Sequence, residues 1–224
     1  MKKDYTHLCI VLDASGSMES IANDIKGSFN ALLAKQKEAK GKTVFDLFQF
    51  SDKVTHLVKS ADLSDFSDDL MGKYTCFGCT ALNDAVCTAI DTLGRNFAEM
   101  PESERPEHVL CVIITDGYEN ASREFTADDV KERIEHQRNK YKWNFNFLAA
   151  DQDVWATGRT LGFQRDQCIS FARSSVGVEG MAKNLCCAID HVRSSRLADL
   201  DIMPDDDLMK DSDEDIEEFL NKNS

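Results

Sequence analysis

The sequence predicts a doubly wound, Rossmann-like α/β fold: a mostly parallel six-stranded sheet with one antiparallel edge strand and helices on both faces. Three observations predict it. Short apolar runs of strand length, such as Leu8–Leu12 and Val109–Ile114, alternate with amphipathic stretches of helix length. The runs are unbroken by polar residues, as expected of strands covered on both faces. One pair of runs is joined only by Ser51-Asp52-Lys53, which reads as a hairpin and supplies the antiparallel edge.

In chain order, His7 to Leu12 is a buried strand closed by Asp13. Asp13-Ala14-Ser15-Gly16-Ser17-Met18 is a turn of small polar residues. From Glu19 to Lys37, Ile21, Ile25, Phe29, Leu32 and Leu33 recur at helical spacing, and Lys40-Gly41-Lys42 ends that helix. Residues 44–50 and 54–58 form the hairpin strands, and 60–78 reads as polar and irregular. Thr80 to Ala98 is a helix with Leu82, Val86, Ile90, Leu93 and Phe97 on one stripe. A loop at 101–106 precedes the strand Val109–Thr115, which also ends in a carboxylate, Asp116. Thr126 to Tyr141 is a helix capped by Thr126 with Asp129 three residues on. A strand at 144–150, a short helix at 154–161, a weak strand at 167–171 and a helix at 176–192 complete the order.

The composition is that of a soluble globular chain with one substantial core: 224 residues, 42% hydrophobic and 29% charged, with only 3 Pro. Its net charge of −14 argues against nucleic-acid or anionic-membrane binding, which need a basic surface. That charge is uneven. Residues 199–224 hold 11 acidic and 2 basic side chains, a net −9, which leaves −5 on residues 1–198. The expected organisation is one domain over 1–198 and an acidic, disordered tail over 199–224. Leu208, Ile216, Phe219 and Leu220 interrupt the tail, so it reads as a solvated extension, a partner-binding segment, or a source of carboxylate competing for the domain's own metal. No apolar region of the signal-peptide kind is expected behind the charged N-terminus, no run is long enough to span a membrane, and Cys9 and Cys111 sit in apolar runs. Free thiols in a reducing, cytoplasmic setting are expected for the 8 Cys, and a monomer is expected.

The chemistry lies at the strand ends. In open α/β sheets, ligands collect outside the carboxyl ends of the strands. Asp13 and Asp116 both stand there, Ser15 and Ser17 follow Asp13 at two-residue steps, and Thr80 opens a helix. Carboxylates and hydroxyls are hard oxygen donors of the kind Mg²⁺ takes in an octahedron that keeps several waters. Neutral hydroxyl ligands leave the ion's charge incompletely compensated, so such a site attracts a carboxylate from outside.

These segments resemble a known family. Residues 7–18, His-Leu-Cys-Ile-Val-Leu-Asp-Ala-Ser-Gly-Ser-Met, look like the first strand and metal loop of a von Willebrand factor type A domain. Cys79-Thr80-Ala81-Leu82-Asn83-Asp84-Ala85 looks like its second metal loop, and Val112-Ile113-Ile114-Thr115-Asp116-Gly117 like its third. The similarity extends to about residue 195 and is nearest to the small, stand-alone intracellular type of bacteria and phages. The resemblance implies a metal-ion-dependent adhesion site of Asp13, Ser15, Ser17, Thr80 and Asp116. It would be loaded with Mg²⁺ (Mn²⁺ and Ca²⁺ being alternatives) and completed by an Asp or Glu of a protein partner. It also implies a binding module and no catalysis. The family usually carries glycine where this chain has Cys79.

Other readings compete. A strand-end Asp13 with Mg²⁺ is also the layout of an aspartyl-phosphate phosphatase or phosphotransferase. That chemistry wants a second nearby acid where Ser15 stands, and a Lys after a strand. Cys76 and Cys79 have the spacing of a thiol redox pair or of half a zinc site, with Cys186-Cys187 the only other close pair. The five His (7, 56, 108, 136 and 191) are scattered and read as structural or surface residues. Asp151 and Asp153 either rim the site or cap the next helix. Tyr118, Glu119 and Asn120 either shape partner choice or are simply solvated.

Overall fold

Strand β1 (Lys2–Asp13) is buried without a break from Tyr5 onward, as an unbroken apolar run requires of a central strand. The computed structural model that shows this describes residues 1–65, 70–150 and 153–194; the acidic segment 199–224 and Asp151 lie outside them. After β1 come α1 (Ala22–Glu38), β2 (Lys42–Phe50), β3 (Val54–Asp62), α2 (Leu82–Glu99), β4 (Pro106–Thr115), α3 (Ala127–Tyr141), β5 (Asn144–Ala150), α4 (Val154–Thr160), β6 (Cys168–Phe171) and α5 (Ser175–Ser194). The sheet order is β3-β2-β1-β4-β5-β6, parallel except for the β2–β3 hairpin. This is the predicted fold. Among the described residues, no helix is long and apolar enough to cross a membrane.

The order locates the functional end. From β1 the chain winds outward through β2 and β3, then returns by α2 to place β4 on the other side of β1, and winds away through β5 and β6. The switch point therefore lies between β1 and β4, where an open sheet leaves a crevice at its carboxyl edge. Side-chain alternation along β1 feeds two cores. Leu8, Ile10 and Leu12 join Ile25, Phe29 and Leu33 of α1 and Met181, Leu185 and Ile189 of α5. Cys9 and Val11 join Val86, Ile90 and Leu93 of α2 and Val130 and Ile134 of α3.

Several boundaries differ from expectation. The polar residues Lys59–Asp62 continue β3 as an edge strand, because a bulge near Ser60 (φ 44°) absorbs an extra residue and keeps the pairing with β2. An exposed edge lacks the apolar signal that marks a strand. Residues Gly16–Ile21 form a 3₁₀ segment before α1, where a continuous helix was expected. α2 starts at Leu82, two residues after Thr80, and Ala81 at its N-cap offers no side-chain bond. Its first amides are capped from another loop: Asn83 N–H donates to Glu119 Oε2 (2.9 Å) and Asp84 N–H to Ser122 Oγ (3.0 Å). The Thr80 hydroxyl is thus not consumed as a cap. The Thr126–Asp129 capping box on α3 is present as expected.

Two of the scattered histidines meet. Asp46 on β2, fully buried, receives His7 Nε2 of β1 on Oδ2 (2.7 Å) and His56 Nε2 of β3 on Oδ1 (2.5 Å), with Ser60 Oγ at 3.3 Å. An ionised carboxylate only accepts, so both rings donate from Nε2. Burial pushes the Asp46 pKa up, but the His7 bond and charge, with the Ser60 and His56 bonds, outweigh it and hold the carboxyl below its ordinary value. The trio ties the edge hairpin to the central strand. Asp46→Ala should cost about 3 kcal/mol of unfolding free energy, because it strips buried donors of their acceptor. A carboxyl with a lowered pKa contributes fully above about pH 4 and loses its contribution as pH falls through the depressed value. Urea unfolding between pH 7 and pH 3 should show this acid loss in the wild type and a smaller one in Asp46→Asn.

Candidate functional site

The first loop is built on Asp13, which ends β1 fully buried. Its Oδ1 accepts the Ser15 N–H (2.7 Å) and its Oδ2 the Thr115 hydroxyl (2.6 Å). Burial raises the Asp13 pKa and the Asp116 charge adds to this, while the Thr115 and Ser15 bonds pull it down; the balance lies above the ordinary value. The Asp13 carbonyl receives the buried Tyr74 hydroxyl at 2.5 Å. Both carboxylate oxygens are thus occupied as acceptors, which does not suit a nucleophile.

The other loops converge on this one. Ser15 Oγ lies 3.0 Å from Ser17 Oγ, which donates to Asp116 Oδ1 at 2.6 Å. A Cβ placed on Gly117 would stand 3.5 Å from Thr80 Oγ1 and 4.0 Å from Ser17 Oγ, so the Thr80 hydroxyl faces the same point across a residue with no side chain. Backbone bonds lock the loops together: Gly16 N–H to Gly78 O (3.0 Å), Phe77 N–H to Ala14 O (2.8 Å) and Asn120 N–H to Thr80 O (3.0 Å). Asn120 Oδ1 accepts the Thr80 N–H in return (2.8 Å). All five residues expected from the sequence are brought together, with Ser17 exposed and the other four buried.

Oxygens around an ion with metal–oxygen bonds of about 2.1 Å are separated by roughly 3.0 Å along each octahedral edge. The Ser15–Ser17 and Ser17–Asp116 separations are near this. Among the described residues, none donates a hydrogen bond to the buried Asp116 Oδ2, and Arg173 Nη1 stands by it as a counter-charge at 3.2 Å. The donor set therefore fits a small hard cation. Among the described residues, no group of three or more His, Cys, Asp or Glu is arranged to hold a metal.

Two residues at the site, Tyr74 and Arg173, escaped sequence reading, and a third, Thr115, was read only within a motif. Tyr74 lies in the stretch read as irregular. Thr115 was legible only as part of the Thr115-Asp116-Gly117 loop. Arg173 carried one signal, a cation just after a strand end. Glu119 and Asn120 turn out to brace the start of α2, whereas Tyr118 is 60% exposed. Asp153 caps α4 through the Ala156 N–H (2.9 Å) and does not act as a rim ligand. Cys76 and Cys79 are free thiols with raised pKa values, Cys76 chiefly through burial and Cys79 through its hydrogen bond to Asp52. Neither is activated, since α2 begins three residues beyond Cys79. Cys79 also has an ordinary negative φ. The left-handed position belongs to Gly78 (φ 78°), where a Cβ would stand 2.2 Å from Asp52 Oδ2. Gly78→Ala should therefore cost about 1–3 kcal/mol in urea unfolding, and Cys79→Gly no more than about 1 kcal/mol.

Residues 7–183 match the sequence profile of the von Willebrand factor type A domain. No curated protein sequence matches. Solved structures with the same fold include proximal thread matrix protein 1 from the mussel byssus with a zinc-occupied MIDAS motif (TM-score 0.61, 15% identity, 84% of this chain and 47% of that one). Others are a mutant of the PilB minor pilin from Streptococcus sanguinis (0.59, 8%, 83% and 61%) and a von Willebrand factor type A protein from Catenulispora acidiphila (0.55, 12%, 83% and 42%). The chain spans about half the length of these proteins, and at such identities the likeness shows the fold.

Proposed function

The chain belongs to the von Willebrand factor type A family, and from that premise we propose that it is a metal-dependent protein-interaction module. Asp13, Ser15, Ser17, Thr80 and Asp116 would hold Mg²⁺, and an Asp or Glu of a protein partner would complete its shell. The observation that carries this reading is the convergence of three hydroxyls and two carboxylates at the switch point of the sheet. The bound ion would act as a Lewis-acid bridge between the domain and an outside carboxylate. Five side chains against an octahedron leave room for water or an outside oxygen.

The rim supports a protein as the partner. Among the described residues, five large hydrophobics are exposed, and two of them, Phe77 (58%) and Tyr118 (60%), flank the second and third loops. Exposed aromatics around a polar centre are the composition of an interaction surface.

Isothermal titration with Mg²⁺ should show one site in the wild type and none in the Asp13→Ala, Asp116→Ala double variant. Binding that survives the double change would remove the assignment. The same wild-type protein should release no phosphate from generic phosphate esters in Mg²⁺; turnover would favour the aspartyl-phosphate chemistry instead.

A further inference from the structure

A groove opens beside the candidate metal position. One side is formed by the residues that follow two of the five oxygen-bearing residues: Leu82 and Asn83 come two and three positions after Thr80, and Tyr118 and Glu119 two and three after Asp116. Two residues of chain span no more than about 7 Å, so the groove begins within reach of a residue adjacent to one bound at the metal. The opposite side comes from Ala127 at the start of α3 and from Ala156 and Leu161 of α4 and its end. Its volume is about 360 Å³. That is near the small end of ligand clefts, about 300–1,000 Å³, and gives room for a bulky side chain. Leu82 and Leu161 are buried, while Tyr118 stands exposed at the rim. A lining of this kind gains when an apolar side chain leaves water and gives a charged one no recompense.

One polar side chain in this lining is incomplete. Asn83 is 7% exposed, and its main-chain N–H is taken by Glu119. Its side-chain Oδ1 is buried and accepts no hydrogen bond from the described residues. Buried acceptors are normally paired, and one left unpaired is costly. The neighbouring Glu119 is no donor: as a carboxylate it only accepts, and it already takes the N–H groups of Asn83, Ala121 and Ser122. The last torsion of an asparagine is soft, so the amide can turn its oxygen toward a donor that enters the groove. A peptide N–H is such a donor. Resting on the interaction-module reading above, we infer that this groove reads the partner's sequence beside its metal-binding acid. It takes the bulky apolar side chain of a residue adjacent to the Asp or Glu, and Asn83 Oδ1 accepts a peptide N–H of the same segment. The metal then supplies the affinity for a carboxylate, and the groove decides which carboxylates are kept.

The test uses the full chain loaded with Mn²⁺ and three probes: acetate, Ac-Gly-Asp-Gly-NH₂ and Ac-Leu-Asp-Leu-NH₂. Free Mn²⁺ is counted by electron paramagnetic resonance, and probe binding is read from displacement of metal-bound water in water-proton relaxation. Acetate is too short to enter the groove and serves as the reference. The leucine peptide should bind the wild type about tenfold more tightly than the glycine peptide. Ala156→Trp fills the groove from an exposed position on α4 and should bring the two peptides within about twofold of each other. Asn83→Ala keeps the main-chain N–H that caps α2 and should weaken both peptides about fivefold relative to acetate. Thermal melts accompany each variant; should Asn83→Ala not fold, Ala156→Trp carries the decision. If the wild type binds both peptides equally, or the leucine preference survives Ala156→Trp, or a folded Asn83→Ala leaves the peptides unchanged relative to acetate, the inference is wrong, with the module reading intact. If the wild type binds no Mn²⁺ at all, the module reading itself falls and the inference falls with it.

Discussion

Two carboxylates buried beside each other at the ends of neighbouring strands are the constraint on which the upper half of the molecule depends. β1 and β4 are adjacent because the sheet reverses its winding between them, so Asp13 and Asp116 must share one low-dielectric corner. Burying one charge is costly and burying two like charges is more so unless donors and cations meet them. The loops are arranged accordingly. Ser15 N–H, Thr115 and Ser17 donate to the two acids, and Arg173 stands by the Asp116 oxygen that accepts no hydrogen bond from the described residues. Tyr74, Asn120 and Glu119 then hold those loops in place without being donors to the acids themselves.

A third buried carboxylate shows what a closed solution looks like. Asp46 lies on the α2 face, opposite Cys9 in register and therefore about 13 Å along the sheet from the end of β1. Two histidines and a serine complete it, and its pKa is lowered. Asp13 is completed by neutral donors, feels a neighbouring acid, and has its pKa raised. The same side-chain type is thus a finished structural clamp in one place and an incompletely compensated charge in the other. Only the second has physical reason to recruit a cation.

Much of this was legible because the relevant patterns are local. Unbroken apolar runs, helical spacing in α1 and α2, the Thr126–Asp129 box and the short hairpin link all express interactions within a few residues. The Asp13-x-Ser15-x-Ser17 loop and the strand-end Asp116 are local as well. Where local signal was absent, the reading stopped short. The polar end of β3 pairs with β2 although it lies at the exposed edge of the sheet, and α2 is capped by Glu119 and Ser122 from some forty residues away, which displaces its start from Thr80.

The sequence by itself therefore determined the class of fold and marked five oxygen-bearing residues as candidates, because periodicity and strand-end chemistry are written in neighbouring positions. Only the tertiary structure decided that Thr80 keeps its hydroxyl uncommitted, that His7 and His56 meet on Asp46, and that Arg173 faces Asp116. Each of these depends on residues at least ten positions apart being carried to one point by strand order and loop closure, and no spacing along the chain encodes where such points will fall.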